Sequence, residues 1–443
     1  MNNASPLGSL QIAADANGLV SRSGTALVGD LAARLGLTAE LSGALSHLHS
    51  RVPTHDPARV LVDLATTLID GGECLSDLGA LACQPDLFGE VASHSTASRV
   101  VDAIGEQERE ALAEARRAAR ERAWAAGARP DRITLDFDAQ LLESHTEKEG
   151  AAPHRKGGFG FHPLHCFLDE TGEHLAAILR PGNAGANDAQ DHIAVLDRAL
   201  AQLPEAPEDF QILARADTAG STHDFAAALR ERRVRFSLGY AVTERVGSAA
   251  LELPKRLWKP ALDGDGRPRE GAWVAELTDR VDLAPWPEGT RLICRRERPH
   301  PGAQLRFTDP EGHRYQCFIT DQRGRSLAEL ELRHRLHARV EDRIQESQDL
   351  GLGRLPFQDR ERNEVWLCLA MLAQELLAWL RILVLDGRLA LAKPKRLRHR
   401  ALHVAGRITR TGRRRTLHLP RSWPWADELV AAFERLRASP APA

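Results

Sequence analysis

Apolar residues recur at three- and four-residue steps from Ser23 to about Gly127, which is the spacing of amphipathic α-helices. The stretch 55–72 predicts a helix with defined ends, since Asp56 is a candidate N-cap and Gly71 follows the last apolar position. Helices are also predicted at 25–45, 74–82, 93–105 and 106–127. Short helices followed by one long charged helix suit either a small DNA-reading domain with a connector or a helical packing or dimerisation domain.

After Pro130 the pattern changes to short runs of strand-like residues that are separated by turn residues. Strands are predicted at 133–141, 161–169, 174–182, 210–217 and 234–242, and helices at 187–203 and 221–232. Three strands, a helix, a strand, a helix and a strand form the order of a ribonuclease-H fold, in which helices pack on a mixed sheet. The pattern therefore predicts an α/β core in this part of the chain.

Pro, Gly, Trp and alternating pieces dominate residues 243–321, which predicts a β-rich insertion. Its strands are expected at 272–278, 290–298, 303–309 and 314–320. Helices return at Leu327 and continue to about Asp386. The apolar run 365–385 is interrupted by charged residues, so it predicts a buried helix rather than a membrane span. A final helix is predicted at 420–438.

The composition is that of a folded protein, because 43% of the 443 residues are hydrophobic and 27% are charged. The net charge of −2 says little about nucleic acid, but residues 393–421 contain eleven Lys or Arg and no Asp or Glu. Such a block either attracts phosphate or forms a solvated basic tail, and the charge alone leaves both open. The six scattered cysteines form no CxxC pair, so we expect no zinc site or disulfide framework and a cytoplasmic protein.

Three acidic residues, Asp138, Asp217 and Glu341, lie at the ends of segments that read as strand, strand and helix. Asp136 lies on the same side of the first strand as Asp138, because strand side chains alternate with a period of two, so either could be the main metal ligand. Carboxylates are ligands that Mg²⁺ prefers, and a pair of such ions promotes phosphodiester cleavage and transfer. These residues predict a Mg²⁺ site, with Mn²⁺ as a substitute, in a chain that cuts and rejoins DNA. The alternative is that they are caps and surface charges.

Several long segments resemble one family over nearly the whole chain. They are LDFDAQLLESHTEKEGAAPHRKGGFGFHPL (135–164), LRPGNAGANDAQDHI (179–193), RADTAGSTHDF (215–225), CRRERPHPGAQL (294–305) and ELRHRLHARVEDRIQESQDLGLGRLPF (331–357). These segments look like the transposases of insertion-sequence family 1380, which are DDE transposases of the family 4 type. The resemblance implies a DDE ribonuclease-H core that excises and inserts a mobile element, with its carboxylates on Asp138, Asp217 and Glu341.

The same resemblance implies the partners of the chain. They are double-stranded DNA in the form of terminal inverted repeats and target DNA. Because two element ends must be joined and each active site has one set of carboxylates, a homodimer is expected in the working complex. No membrane partner is expected.

The acidic residue of the helix stands in a family signature, Y-x2-R-x3-E-x6-K, from which this chain departs. His334 stands at the Tyr position and His337 at the Arg position. Gln348 stands at the Lys position, and Gln140 stands where the family tends to have Thr. Two positive charges expected near DNA are thereby lost, while the carboxylates are untouched. These departures leave open an inactive or domesticated copy that binds element ends without cutting, and a nuclease without strand transfer is a further alternative.

Residues predicted to contact DNA have basic or polar side chains near the carboxylates, in the insertion or in the basic block. They are Lys148, Arg155, Lys156, Arg295, Arg296, Arg298, His300, His334, His337, Arg339, Gln348, Arg413, Arg414 and Arg415. Such side chains position DNA through its phosphates. The alternatives are that the first three lie in a solvated hairpin loop and that the arginines of the insertion form the outer face of a strand.

The predicted architecture is an α/β chain with a ribonuclease-H-like DDE core, a β-rich insertion, a helical N-terminal DNA-binding domain and a helical basic C-terminal region. The N-terminal domain and its connector are placed at 1–128. The first part of the core is placed at 129–242, the insertion at 243–321, the second part of the core with Glu341 at 322–390, and the basic DNA-contacting region at 391–443.

Overall fold

A computed structural model describes residues 10–50, 55–145, 148–204, 211–299, 302 and 310–438. Its α-helices are α1 Ala26–Arg34, α2 Leu37–Ala44, α3 Pro57–Asp70, α4 Gly79–Ala82, α5 Pro85–Phe88, α6 His94–Ala103, α7 Glu106–Ala123, α8 Ala189–Ala201, α9 His223–Glu231, α10 Glu244–Leu251, α11 Leu327–Arg335, α12 Arg339–Ser347, α13 Arg360–Trp379, α14 Gly387–Ala390, α15 Pro394–Leu397 and α16 Ala426–Ala438. Its strands are β1 Leu19–Val20, β2 Thr134–Ala139, β3 Leu142–Glu143, β4 Ala152–His154, β5 Gly158–Phe161, β6 Leu164–Leu168, β7 His174–Ile178, β8 Leu213–Ala216, β9 Arg235–Tyr240, β10 Lys259–Leu262, β11 Pro268–Glu276, β12 Arg291–Glu297, β13 Arg314–Thr320, β14 Gly406–Thr411 and β15 Arg414–His418.

A nine-stranded mixed sheet forms the centre of the described fold, in the order β10-β11-β12-β13-β9-β8-β2-β6-β7. β2 pairs antiparallel with β6 and parallel with β8, and β8 pairs parallel with β9. The elements between 129 and 242 follow the predicted order, and a small sheet of β3, β5 and β4 is added after β2. The parallel strands β2, β8 and β9 end at one edge of the sheet, and such edges are where α/β proteins usually form their sites.

The strands of the insertion continue this sheet instead of forming a layer of their own. β13 pairs antiparallel with β9, where Phe318 is opposite Gly239, and β12, β11 and β10 follow outward. Apolar residues at the start of α11 pack on β10 and β11. Three of the predicted strands are found as β11, β12 and β13, the predicted strand 303–309 lies outside the described residues, and α10 is a helix that the pattern did not predict.

Helix α13 is a central element of the core, and its fully buried residues include Trp366 and Trp379. It packs against α3 and against β7. In the described part of the chain, the helical range Arg360–Val384 is long and apolar enough to cross a membrane by length and composition, but 78% of its most apolar window is buried inside the protein. The predicted buried helix at 365–385 is confirmed.

A buried cluster of ion pairs joins the long helix α7 to β7 and α13. Arg116 donates to Glu375 at 2.7 Å, and Arg120 donates to Glu173 at 2.8 Å and also to Glu375. All four side chains are almost fully buried. Each buried charge has an opposite partner, and the loss of one partner would leave an uncompensated charge. The cluster therefore fixes α7 on the core, and the N-terminal helices and the sheet share one hydrophobic cluster.

The N-terminal helices follow much of the predicted pattern, and α5 is added to it. The helix predicted at 25–45 is divided into α1 and α2 at Gly36, which has a left-handed φ of 71°. The helix predicted at 55–72 is α3, where the Asp56 side chain accepts from the N–H of Ala58 and Gly71 is left-handed. Before α1, Leu19 and Val20 form β1, which the pattern did not predict and which pairs with β14.

The helical prediction for the basic C-terminal region is wrong for residues 406–418. β14 and β15 form an antiparallel hairpin there, and Gly412 has a φ of 62° in its turn. The alternation of Arg and Thr in this segment is a strand pattern, but its uniform positive charge hides the usual contrast between apolar and polar faces. The final helix α16 is found as predicted.

Two buried histidines of β6 and β7 make the fold sensitive to acid. A ring nitrogen of His165 lies 3.1 Å from one of His174, and His174 stacks on Phe167. Burial lowers the pKa of His165 to about 3 and holds the pKa of His174 well below its usual value. Both imidazoles are therefore neutral in the folded protein at pH values where they would be protonated in the unfolded chain.

We expect the free energy of unfolding to fall as the pH drops below about 6.5, where unfolded histidines begin to protonate. Each neutral buried histidine should contribute a loss of about 1.4 kcal/mol per pH unit between that value and its folded pKa. Urea unfolding at several pH values measures this slope. His165→Gln should flatten it, whereas His145→Gln, at an exposed position, should not. Equal slopes in the wild type and His165→Gln would contradict the expectation.

Candidate functional site

The two predicted carboxylates of the sheet lie at the ends of adjacent parallel strands. Phe137 of β2 is in register with Ala216 of β8, so Asp138 and Asp217 are the next residues on each strand. Neighbouring strands lie about 4.8 Å apart, and aligned residues of parallel strands point to the same face. Asp138 is half-buried and Asp217 is exposed, with one oxygen accepting from two backbone N–H groups of the following loop. The register therefore brings these two residues together.

Helix α12 and the turn before it lie on one face of β2. Two hydrogen bonds connect this helical region to the segment of that strand. Nδ1 of His337 lies 2.9 Å from a carboxylate oxygen of Asp136. Beyond α12, the amide of Gln348 donates to Gln140 at 3.1 Å. Two of the departures from the family signature, His337 and Gln348, are thus satisfied by residues of the strand that they face.

Glu341 lies between these two contacts along the helix, and Asp138 lies between them along the strand. Burial raises the pKa of Asp138 to about 6. The electrostatic effect of His337 and the hydrogen bond from the N–H of Ala139 oppose this rise, whereas the negative charges of Asp217 and Glu341 add to it. The carboxyl group is therefore ionised at neutral pH beside two like charges. A bound cation would relieve this repulsion.

The donor set fits a hard divalent cation such as Mg²⁺, because all three side chains offer carboxylate oxygens. The hydrogen bonds of Asp138 and Asp217 come from backbone N–H groups, and Glu341 is exposed. Within the described ranges, however, no three or more His, Cys, Asp or Glu side chains are already gathered tightly enough to hold a metal ion. The three carboxylates are near enough to influence one another without forming a closed cage.

Asp136, whose binding of metal stays a prediction, is bonded by protein groups on both oxygens. Arg215 of β8 donates to both of its oxygens at 2.7 Å, and His337 bonds one of them as well. Burial alone would raise the pKa of Asp136, but the bonds from His337 and Arg215 hold it below its usual value. Both oxygens of this ionised carboxylate are therefore engaged inside the protein.

Arg215 connects this pair to the helices above the sheet. It lies 2.9 Å from a second buried carboxylate, Asp169, and donates to the carbonyl oxygen of Arg333 at 2.6 Å. Arg339 of α12 also reaches Asp169, at 3.4 Å. Sequence reasoning missed Arg215 and Asp169. The available signal was a charged residue inside an apolar strand, two positions before Asp217, because a buried charge needs a partner.

The residues around Glu341 that were expected to touch DNA are largely engaged within the protein. His334 stacks on an aromatic ring of β13 at 4.4 Å and lies 3.0 Å from a hydroxyl of β9, and burial lowers its pKa to about 3. The DNA contacts of His334 and His337 stay predictions, while in this structure both side chains bond protein groups and the amide of Gln348 bonds Gln140. Arg339 keeps half of its side chain exposed beside the site.

The predicted DNA contacts of the insertion are divided between buried and exposed positions. Arg295 is buried and pairs with a glutamate of α11 at 3.0 Å. Arg296 lies over two tryptophan rings, 4.3 and 5.2 Å from their centroids. Arg298 is exposed at the end of the strand, and His300 lies outside the described residues.

The loop after β2 keeps two of its three predicted contacts available. Lys148 donates to two backbone carbonyls of the segment before α13, so it holds that segment in place. Arg155 and Lys156 are exposed in the turn between β4 and β5. The exposed positions of Arg155 and Lys156 therefore agree both with a solvated loop and with contact to DNA.

The three consecutive arginines of the basic block lie at the tip of the β14–β15 hairpin. Arg413 and Arg414 are exposed. Arg415 pairs with an aspartate of α5 at 2.9 Å. The hairpin therefore separates residues that looked equivalent in the sequence.

We expect Arg215→Met to reduce the free energy of unfolding by about 3–5 kcal/mol, because two buried carboxylates would lose their common partner. Chemical denaturation measures the change. The matched control is Arg269→Met, which removes a partly exposed pair with Glu297 and should cost no more than about 1 kcal/mol. Similar losses in the two variants would show that the Arg215 network is not a stabilising element.

The model of the family described as transposase DDE domain, group 1, matches residues 5–441. No curated protein matches the chain. Among solved structures, the chain is similar to one in the cryo-EM structure of a piggyBac transposase synaptic complex with hairpin DNA, with a TM-score of 0.44 and 10% identity over 86% of this chain and 80% of that chain. Since the family model spans nearly all of its residues, the chain belongs to the group 1 family of transposase DDE domains.

Proposed function

We propose that this DDE-family protein cuts DNA at the terminal inverted repeats of a bacterial insertion sequence and joins the freed ends to target DNA. The observation that carries the proposal is the placement of Asp138, Asp217 and Glu341. Asp138 and Asp217 lie level on paired strand ends, and Asp138 interacts electrostatically both with Asp217 and with Glu341 of α12. Membership of the insertion-sequence family 1380 branch, and a ribonuclease-H-like core formed by β7-β6-β2-β8-β9, are part of the same proposal.

Asp138, Asp217 and Glu341 would hold Mg²⁺, or Mn²⁺ in its place. When bound, such ions polarise the phosphate and activate the attacking oxygen. The protein itself supplies the position of the ligands. The strand register fixes the first two, and the contacts of His337 and Gln348 with β2 fix the helix that carries the third.

DNA would approach the site from the carboxyl ends of the parallel strands. Arg155, Lys156, Arg298 and Arg339 offer exposed or half-exposed positive charge for its phosphates. The working complex would be a homodimer, because two element ends must be joined. The protein would act in the cytoplasm, at the nucleoid.

An inactive protein that only binds element ends is the second candidate. The departures from the family signature favoured it, since they remove positive charge near Glu341. Their internal pairing weighs against it, because His337 and Gln348 hold the helix against β2. In an inactive site, these two contacts would not be needed to position Glu341.

Glu341→Gln should reduce cleavage of DNA carrying the element end by about 100-fold or more, because metal-based charge stabilisation worth several kcal/mol is lost. Binding of the same DNA should remain. Asp342→Asn is the matched control, since Asp342 is the next residue on α12 and pairs with Lys393. Cleavage is read on denaturing gels with Mg²⁺ and with Mn²⁺. Tight binding without cleavage by the wild type under both ions would favour the end-binding candidate.

Metal binding can be tested without DNA. Mg²⁺ or Mn²⁺ should raise the melting temperature of the wild type in a concentration-dependent way, because a ligand that binds the folded state stabilises it. Asp138→Asn and Asp217→Asn should reduce this shift, and Asp342→Asn should keep it. The same shift in all of these variants would place the metal elsewhere.

A further inference from the structure

The C-terminal hairpin has an uncovered basic face. We call β14 and β15 the ribbon. Its base is held by β1, which pairs with β14 at Leu19 and Val20. Beyond that point the two strands run out together to the turn at Gly412. The ribbon is therefore anchored at one end and projects at the other.

Cross-strand pairing divides the side chains of the ribbon into two faces, since opposite residues of an antiparallel pair share a face. The outer face consists of Arg407, Thr409, Thr411, Arg414, Thr416 and His418, and all six residues are exposed. The inner face carries Ile408 and Leu417, which are half-buried, with Arg410 and Arg415 beyond them. The outer face has hydroxyls and positive charge and contains no carboxylate.

Several other basic residues of the block have partners inside the protein. Lys393 pairs with Asp342 and Lys395 with Asp349. Arg398 donates to backbone carbonyls of α3, and Arg400 lies over the ring of Trp425 at 5.1 Å. On the inner face of the ribbon, Arg415 is held by an aspartate of α5. The basic block is thus no uniform tail: part of its charge is paired, and exposed arginines remain on the outer face of the ribbon.

The dimensions of the outer face suit double-helical DNA. Arg414 lies opposite Thr411, so it is four residues along the ribbon from Arg407. Four residues of a strand span about 13 Å, and the major groove of B-DNA is about 12 Å wide and admits a two-stranded ribbon. Two guanidinium groups at that separation can reach phosphates on the two sides of the groove. The hydroxyls of Thr411 and Thr416 are suitable donors to the same backbone, while the hydroxyl of Thr409 lies 2.9 Å from a ring nitrogen of His418.

We propose that the outer face of the ribbon binds double-stranded DNA through its phosphates, with Arg407 and Arg414 as the principal contacts. This inference rests on the proposed function for the identity of the ligand. It assigns DNA binding to one face of one hairpin. It predicts binding that does not depend on DNA sequence. It also separates Arg414 from its neighbour Arg415, which faces the protein.

The test compares two double variants with the same loss of charge on the same two strands. Arg407→Gln with Arg414→Gln changes the outer face, and Arg410→Gln with Arg415→Gln changes the inner face. Binding of the full-length protein to a short duplex of unrelated sequence is measured by fluorescence anisotropy over a series of salt concentrations. The slope of log K against log salt should become shallower by about 1.8 in the outer-face variant, because each lost phosphate contact contributes about 0.9. The inner-face variant should keep most of the wild-type slope.

Equal slopes in the two variants would overturn the proposal, since a general effect of charge would then explain binding. An unchanged slope in the outer-face variant would overturn it as well. Either result leaves the proposed function standing if the wild type still cuts element-end DNA and Glu341→Gln does not. Failure of the wild type to bind or cut any DNA would instead refute the proposed function. Circular dichroism melts verify that both variants are folded.

Discussion

The pairing of Asp136 with Arg215 is the interaction on which the candidate site depends. A carboxylate and a guanidinium are buried together between two parallel strands. The loss of either group would therefore leave the other as a buried, unpaired charge. The same arginine bonds Asp169 and the backbone of α11. Arg215 therefore connects the sheet to α11 through bonds within the protein itself.

That arrangement gives a physical meaning to the unusual residues near Glu341. The family signature expects cations where this chain has His337 and Gln348, but both side chains bond the strand that carries Asp138. The bond of His337 to Asp136 and the bond between the neutral amides of Gln348 and Gln140 hold α12 in line with β2. Exposed positive charge is found instead at positions such as Arg155, Arg298 and the ribbon.

The remaining architecture extends the same sheet. The insertion adds four strands to the edge formed by β9, so its arginines are distributed between a packed face and an exposed end. The ion cluster of α7 fixes the N-terminal helices on the opposite part of the core. Rigid attachment of both regions would let contacts made far from the carboxylates position DNA at them.

The sequence by itself determined the order of helices and strands in the core, because periodicity and turn residues are local signals. It also singled out Asp138, Asp217 and Glu341, since their positions at the ends of elements follow from that order. Only the tertiary structure decided that Asp136 is taken by Arg215, which lies 79 residues away, and that the basic block contains a hairpin with one free face. Ion pairing depends on distance in space, so the sequence could count the charges of this protein, but only the fold could say which of them remain available.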